Sequence, residues 1–435
     1  MKLFGMMSRL RQSTVVRNTC WMLIGHGVRT AIQGVYFILI ARSIGPAGYG
    51  AFVGVTAFVA IAAPFASLGS GNILIKHVAR DRSLFGIYWG NALAITQVSG
   101  VILTVLLLLV SRFVLPGSIS VWLFLSVAVA DLLFSRLVDV SGQAFQAVEK
   151  LGQTAKLQIL VSLLKLLAVV ILLALPSEVS VVKWGWMYLG ATAMSAFVAL
   201  WLVRRNLGES KPAVGRVGAE LREGFHFSVG LSAQNIYNDI DKTMLVHYSS
   251  LAATGTYGAA YRIIDIAFAP VRSLLWASYA GFFRHGAKGV RGSLGYAKRF
   301  LPLVALYGLL AALALYVAAA VIPIVLGHQY DNTVGAVRWL ALLPFLRSMH
   351  YFAADTLTGA GFQGLRSRIQ AMMAVFNIGI NFWLIPAYSW LGAAWSSLLT
   401  DGLLAVSLWV VIGYLSPGDA AVQRADNEPL DKTAP

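Results

Sequence analysis

Long apolar runs separated by short polar stretches occupy nearly the whole chain. A helix needs roughly 20 residues to cross the hydrocarbon core of a bilayer. Runs of about that length recur near 20–41, 49–75, 86–111, 119–140, 157–176, 181–203, 225–249, 256–283, 300–326, 333–359, 369–387 and 390–415. The pattern predicts twelve transmembrane helices. The seventh, eighth and tenth carry enough polar residues for a plain hydropathy window to pass over them. The densest interruption is NIYNDIDKTMLV, residues 235–246, which holds two asparagines, two aspartates and a lysine.

Polar positions inside the runs keep helical spacing. His26, Arg29, Gln33 and Tyr36 recur at three- and four-residue steps and share one face of the first span. Gln234, Asn238 and Asp241 do so on the seventh. Arg262, Asp265 and Arg272 form a stripe on the eighth, continuing from Gly258. Ser135, Asp139 and Gln143 on the fourth span, and Arg347, Tyr351 and Asp355 on the tenth, form a second tier. Asp131, Arg136, Lys165, Asp239, Lys242 and Asp401 add to the ionisable groups at membrane depth. Each costs about 2.5–3.5 kcal/mol at the bilayer centre on the insertion scale. The set is therefore expected to face water or one another, with span seven as a cavity wall. Pro64 and Pro270 fall inside long spans and mark either bendable points or static kinks. Histidines 26, 247 and 350 read more readily as packing residues than as proton relays.

Composition settles the class. Of 435 residues, 58% are hydrophobic and 12% charged, against about 25% charged in a soluble domain. The chain reads as an all-α integral membrane protein. A formal charge of +16 would suggest nucleic acid in a soluble protein, but here it is sorted by side. The N-terminal segment, the tail and the loops on their side carry 23 Lys and Arg, and the opposite loops carry three, Arg42, Arg112 and Lys183. Basic residues accumulate on the cytoplasmic side, which places both termini in the cytoplasm. The charge then reports topology, with anionic lipid headgroups as its contact, and no nucleic-acid partner is expected. Trp122, Trp184 and Trp390 fall at outer span edges and Trp21, Trp89 and Trp201 at inner ones, the places of an interfacial belt. The single cysteine, Cys20, excludes an intrachain disulfide. The first run lacks a small-residue cleavage site and reads as a retained span.

Two halves are discernible. ILIARSIGPAGYGAF and LVHYSSLAATGTYGAA place Tyr49-Gly50 and Tyr257-Gly258 at matching points, and Lys156-Leu157-Gln158 is echoed by Arg368-Ile369-Gln370. Chance recurrence of Tyr-Gly is the competing explanation. Six spans per half give both the same orientation, which predicts two parallel bundles around a central cavity. The expected organisation is a cytoplasmic segment 1–19, a six-helix lobe 20–203, a basic linker 204–224, a second six-helix lobe 225–415 and an unordered cytoplasmic tail 416–435.

These features resemble a known family. A first span bearing Arg29, then ARSIGPAGYGAF, then a second span ending in SLGSGNILIKHVARD, is similar to the polysaccharide-type (Wzx-like) flippases of the multidrug/oligosaccharidyl-lipid/polysaccharide exporter superfamily. NDIDKTMLVHYSSLAATGTYGAAYRIID is similar to that family's seventh and eighth helices. The resemblance covers about residues 20–415. It implies movement of an undecaprenyl-diphosphate-linked oligosaccharide from the inner to the outer leaflet of the bacterial cytoplasmic membrane. It also implies two lobes that alternate their opening under an ion gradient, H⁺ or Na⁺, with no further cofactor, and possible contact with other polysaccharide assembly proteins. Lipid-II flippases of the superfamily use arginines on helices one, two and eight. Arg29 and Arg262 match two of these; the middle of span two offers no arginine, and two extra helices of those proteins are lacking here.

On this reading Arg29 and Arg262, with Arg272 or Lys242, attract the diphosphate, Gln33 and Asn238 line the cavity, and Asp139, Asp241 and Asp265 are the ion-coupling candidates. Guanidinium groups suit phosphate because they bind it bidentately. Structural pairing is the alternative for Asp239 with Lys242 and for Arg262 with Asp265, each three residues apart. Arg29 has no acidic residue on its own span. A membrane glycosyltransferase or polymerase is disfavoured by the small outer loops and by the lack of a nucleophile motif, metal cluster or glycine-rich phosphate loop. A multidrug exporter of the same superfamily would need acidic and aromatic groups for cations, whereas the cavity candidates here are at least as basic as acidic.

Overall fold

A computed structural model describes residues 14–176 and 178–427; within it, side chains 14–24, 26, 233, 234, 280 and 417–427 and several between 214 and 230 are left aside. His26 and Gln234 thus lie outside the described side chains, and residues 1–13 and 428–435 outside the description altogether. Among the described residues every regular element is helical. In order they are α1 (Thr14–Ser67), α2 (Ser70–Val78), α3 (Phe85–Val114), α4 (Val121–Ala147), α5 (Leu151–Ala174), α6 (Val181–Leu207), α7 (Val214–Tyr248) and α8 (Leu251–Gly286). A short α9 (Gly289–Ala297) precedes α10 (Leu301–Leu326), α11 (Asp331–Leu340), α12 (Leu343–Gly359) and α13 (Gln363–Asn427).

Breaks in these rods have local causes. α1 bends at Gly45, φ 69° and ψ 174°, a backbone region open to glycine, and the following Pro46 disfavours helical geometry in the residue before it. Leu68 (φ 43°) and Gly69 (φ 64°) separate α1 from α2. α13 bends at Ser389, φ 56° and ψ −134°. Within α4 one turn widens to π geometry at Ala130–Phe134, and Asp131 stands in it. The final helix is continuous to Asn427, past the point where an unordered tail was expected.

Among the described residues seven stretches are long and apolar enough to cross a membrane, and two of them, Gly27–Val78 and Gln363–Ser416, have 52 and 54 residues with the bends inside. α7, α8 and the α11–α12 pair fall outside that set. They correspond to the seventh, eighth and tenth runs, the polar ones. The arrangement is compatible with twelve spans. Outward apolar side chains such as Phe113 (83% exposed) and Val317 (66%) suit contact with lipid rather than water.

The chain divides into two compact units. The first runs through Arg262 and includes Ala320–Ala336 and Asn381–Ala393; the second holds Ile263–Ala319, Val337–Ile380 and the chain from Ala394. Ile73, Leu74, Phe85, Trp89, Phe145 and Val203 pack a core of the first unit, and Phe268, Phe282 and Phe352 one of the second. In the first unit the second arm of α1 meets the start of α8 with backbone against backbone. A Cβ at Gly50 would stand 1.8 Å from the Leu251 carbonyl oxygen, and one at Gly255 would stand 1.9 Å from that of Pro46. The Tyr-Gly motifs of the two halves therefore lie on helices in direct contact. Two belt assignments are corrected: Trp89 is 3% exposed in the core, and Trp184 is fully buried against Tyr36 and Phe52. Their surroundings are aromatic side chains of this chain, so neither is a headgroup anchor.

Candidate functional site

Helical spacing on α1 puts Gln33 one turn beyond Arg29, and Gln33 ties two other helices to that face. The Arg262 guanidinium (Nη2) donates to Gln33 Oε1 at 3.0 Å, and Gln33 Nε2 donates to Ser162 Oγ on α5 at 3.4 Å. Arg29 and Arg262 are both half-buried. Both act electrostatically on Lys165, one turn of α5 beyond Ser162, as do Asp131 and Asp139. Arg29 and Arg262, the two arginines singled out from the sequence, thus share one polar region of the first unit.

Lys165 organises the other side of this region. Its Nζ donates to the Tyr188 hydroxyl at 2.9 Å and lies 4.0 Å from the centre of that ring. Tyr188 in turn donates to Asp131 Oδ1 at 2.7 Å, which also accepts from Ser135 at 3.3 Å. Nearby on α4, Arg136 and Asp139 pair at 2.9 Å. Among the described residues Arg29, Arg136, Lys165 and Arg262 outnumber Asp131 and Asp139, an excess of positive charge. Such a region can hold an anion bidentately through its guanidinium groups.

The polar window of α7 has a different character. Asn235 donates to the Ala60 carbonyl at 2.7 Å and so fastens α7 to α1. Lys242 Nζ lies 2.8 Å from Asp239 Oδ1 and 3.7 Å from Asp241 Oδ1. It also donates to the Asn238 carbonyl at 2.7 Å and sits over the Tyr261 ring. Asp241, 3% exposed, accepts from the Tyr257 hydroxyl. The Asp239–Lys242 pair therefore takes the structural alternative raised by its spacing, and Lys242 is held by carboxylates of its own helix.

In the second unit Asp265 meets Arg347 at 3.0 Å and Arg272 at 3.7 Å. Arg347 also meets Asp401 at 3.4 Å, and His350 Nε2 stands 3.5 Å from the other oxygen of Asp401. Asp355 faces Arg366 at 3.5 Å. Asp265 and Arg272 thus join one charge network, while Arg262 turns to Gln33 in the first unit. Tyr188 and Ser162 carried no signal in the sequence, being uncharged residues on otherwise apolar spans. Asp131 and Lys165 were visible as costly charges, but nothing on their own helices indicated the tyrosine that joins them.

Comparison with known proteins gives the relationship. A family model described as polysaccharide biosynthesis protein matches residues 15–275. A protein of Escherichia coli (strain K12), provisionally named an O-antigen transporter, is 21% identical over 404 residues, covering 89% of this chain and 94% of its own. Among solved structures, the inward-facing conformation of a multidrug resistance MATE family transporter of the MOP superfamily superposes with a TM-score of 0.74 at 15% identity, covering 93% of this chain and 99% of that one. A MOP superfamily transporter from Pyrococcus furiosus Vc1 (DSM3638), described as having a binding pocket of reverse polarity, gives 0.62 at 15% identity, with 92% and 96% covered. At these identities the structural likeness establishes a shared fold.

Proposed function

We propose, from the premise that this chain belongs to the polysaccharide biosynthesis protein family, that it is a flippase for an undecaprenyl-diphosphate-linked oligosaccharide. It would carry that lipid from the inner to the outer leaflet of the bacterial cytoplasmic membrane. The family relationship supports polysaccharide transport as the broad activity. The observation that carries the finer reading is the Arg262–Gln33–Ser162 connection, at 3.0 and 3.4 Å, which sets Arg262 beside the Arg29 face and near Lys165. Cations in excess at membrane depth are expensive to maintain, and a diphosphate is the ligand whose charge and oxygen geometry offset that expense.

The proposed working cycle uses this arrangement. The diphosphate enters from the cytoplasmic leaflet and is held by Arg29 and Arg262, with Gln33 fixing the orientation of Arg262. The lobes 20–203 and 225–415 then exchange which side of a central cavity is open, with both termini in the cytoplasm. Proton or Na⁺ binding at Asp139, Asp241 or Asp265 supplies the drive. Bonds in the substrate are neither made nor broken. An exporter of organic cations is the other reading within the superfamily fold, and the basic excess around Arg29 opposes it.

The test is leaflet-resolved measurement of lipid-linked oligosaccharide in a deletion strain carrying Arg29→Ala, Arg29→Lys or Arg262→Ala. The alanine variants are expected to accumulate substrate on the inner leaflet, with Arg29→Lys intermediate because it keeps charge but loses the fork. Full complementation by a stably expressed Arg29→Ala, Arg262→Ala double variant would end this proposal.

A further inference from the structure

The first unit contains a cavity of about 430 Å³ between α2, α4, α5 and α7, with Gly69 and Gly71 in its wall. That volume lies within the range of small-molecule sites, about 300–1,000 Å³. Its polar lining is dominated by carboxamides: Asn72, Gln143, Gln146, Gln158 and Asn235. The charged side chains among its lining, Arg136 and Asp139, neutralise each other at 2.9 Å. We infer that this cavity is a saccharide subsite, which takes uncharged sugar hydroxyls while the neighbouring basic region takes the diphosphate. The inference rests on the lipid-linked oligosaccharide reading and adds the place where the glycan is recognised.

The chemistry of the lining selects the ligand class. A carboxamide both donates and accepts without charge, and so does a sugar hydroxyl. An anion would draw basic residues and an organic cation would draw carboxylates or open aromatic faces; this lining offers neither in excess. Gln143 Nε2 donates to Asn72 Oδ1 at 3.3 Å, a long bond that orients both amides. Each amide nitrogen has a second hydrogen and each oxygen a second lone pair for a ligand. The pocket is also built around its glycines. A Cβ at Gly71 would fall 1.6 Å from Gln143 Oε1, and Gly69, φ 64°, lets the chain turn between α1 and α2.

Position agrees with composition. The cavity is lined by the start of α2 and the end of α4, close along the chain to Lys76 on α2 and to the loops that bear Arg80 and Lys150, basic residues that the charge asymmetry assigns to the cytoplasm, where the glycan of a newly made lipid-linked sugar is exposed. Arg136 and Asp139 border it, and Asp139 is within electrostatic reach of Lys165. A lipid loaded from the inner leaflet can thus put its diphosphate at the basic region and its first sugars among the amides.

The test measures binding to the full-length protein in nanodiscs with four probes: a short polyprenol, its neutral glycoside, its diphosphate, and the diphosphate bearing one neutral hexose or N-acetylhexosamine from a panel. At least one glycosylated probe is expected to bind about tenfold more tightly than the bare diphosphate, the yield of two or so hydrogen bonds. Gln143→Leu and the rim variant Gln146→Leu should draw that ratio towards one, with unfolding profiles matching the parent. The subsite is overturned if no sugar gains affinity, if the ratio survives both variants, or if both probes weaken by the same factor. A bare diphosphate that binds no better than polyprenol would instead remove the anion-anchor reading, and the sugar ratio would then be read on the uncharged lipid.

Discussion

Tyr188→Phe removes a single oxygen and should uncouple a lysine from an aspartate. The Tyr188 hydroxyl accepts from Lys165 at 2.9 Å and donates to Asp131 at 2.7 Å. Hydrogen bonds to charged groups contribute about 1.5–3 kcal/mol each. Lys165 and Asp131 are half-buried, so water can replace part of the loss, and the expected cost of the substitution is about 2 kcal/mol. Lys165→Met should then destabilise less in the Tyr188→Phe background than alone, with a coupling energy of about 1–2 kcal/mol. The assay is equilibrium unfolding of the purified protein in mixed micelles titrated with SDS, run on the four proteins of the cycle. If Tyr188→Phe lies within about 0.5 kcal/mol of the parent, or the two changes simply add, the bridging role is wrong.

Three further outcomes follow from the same geometry. Gly50→Ala brings a Cβ to 1.8 Å from a backbone oxygen, whereas Gly402→Ala meets nothing within 4 Å. The first should lose about 1–3 kcal/mol or more by overpacking and the second little, so equal thermal stability of the two variants would contradict the α1–α8 contact. Lys242→Met strands Asp239 and Asp241, which should cost about 3–5 kcal/mol as a broken buried pair. Adding Asp239→Asn should recover part of it, and expression yield with detergent unfolding checks the order. On the loop between α2 and α3, Asp81 Oδ1 accepts from the backbone N–H and hydroxyl of Ser83 at 2.9 and 2.7 Å, and these bonds hold its pKa below the ordinary 3.8. The stability this contributes is present above pH 3.8 and lost as pH falls through the lower folded value. Ser83→Ala should move the titration of Asp81 upward, as followed by NMR of the labelled carboxyl carbon.

How much of this was legible depends on whether the cause lay along one helix or between several. Bilayer thickness imposes a length, so the apolar runs were readable. The polar composition of α7, α8 and α11–α12 was readable too, because charges on an apolar background stand out. The bend at Gly45 falls in the gap between the first two apolar runs, 20–41 and 49–75. At Ser389 nothing in Tyr-Ser-Trp demands positive φ, and the wide turn holding Asp131 had no signal either. Periodicity placed Arg29 and Gln33 on one face but could not say that α5 and α8 would meet that face. Trp184 looked like an interfacial anchor because its place along the span was right; its burial depends on Tyr36 and Phe52, which are distant in sequence.

The same distinction sorts the cations named from the sequence. Lys242 is held by Asp239 and Asp241, Arg272 and Arg347 share Asp265, and Arg347 also meets Asp401. A cation fixed between carboxylates gains little from a phosphate, because binding the phosphate must first weaken contacts the protein already has. Arg262 instead donates to a neutral amide, Gln33 at 3.0 Å, which orients the guanidinium while leaving its charge uncompensated at that contact. An incoming diphosphate therefore adds charge pairing there, since no carboxylate among the described residues forms an ion pair with Arg262. Gln33→Glu tests the distinction directly: it should convert Arg262 into a paired cation of the Lys242 kind, raising stability or leaving it level while weakening diphosphate binding about tenfold or more. Undiminished binding by that variant would mean that the arginine's partner does not set its affinity for the anion.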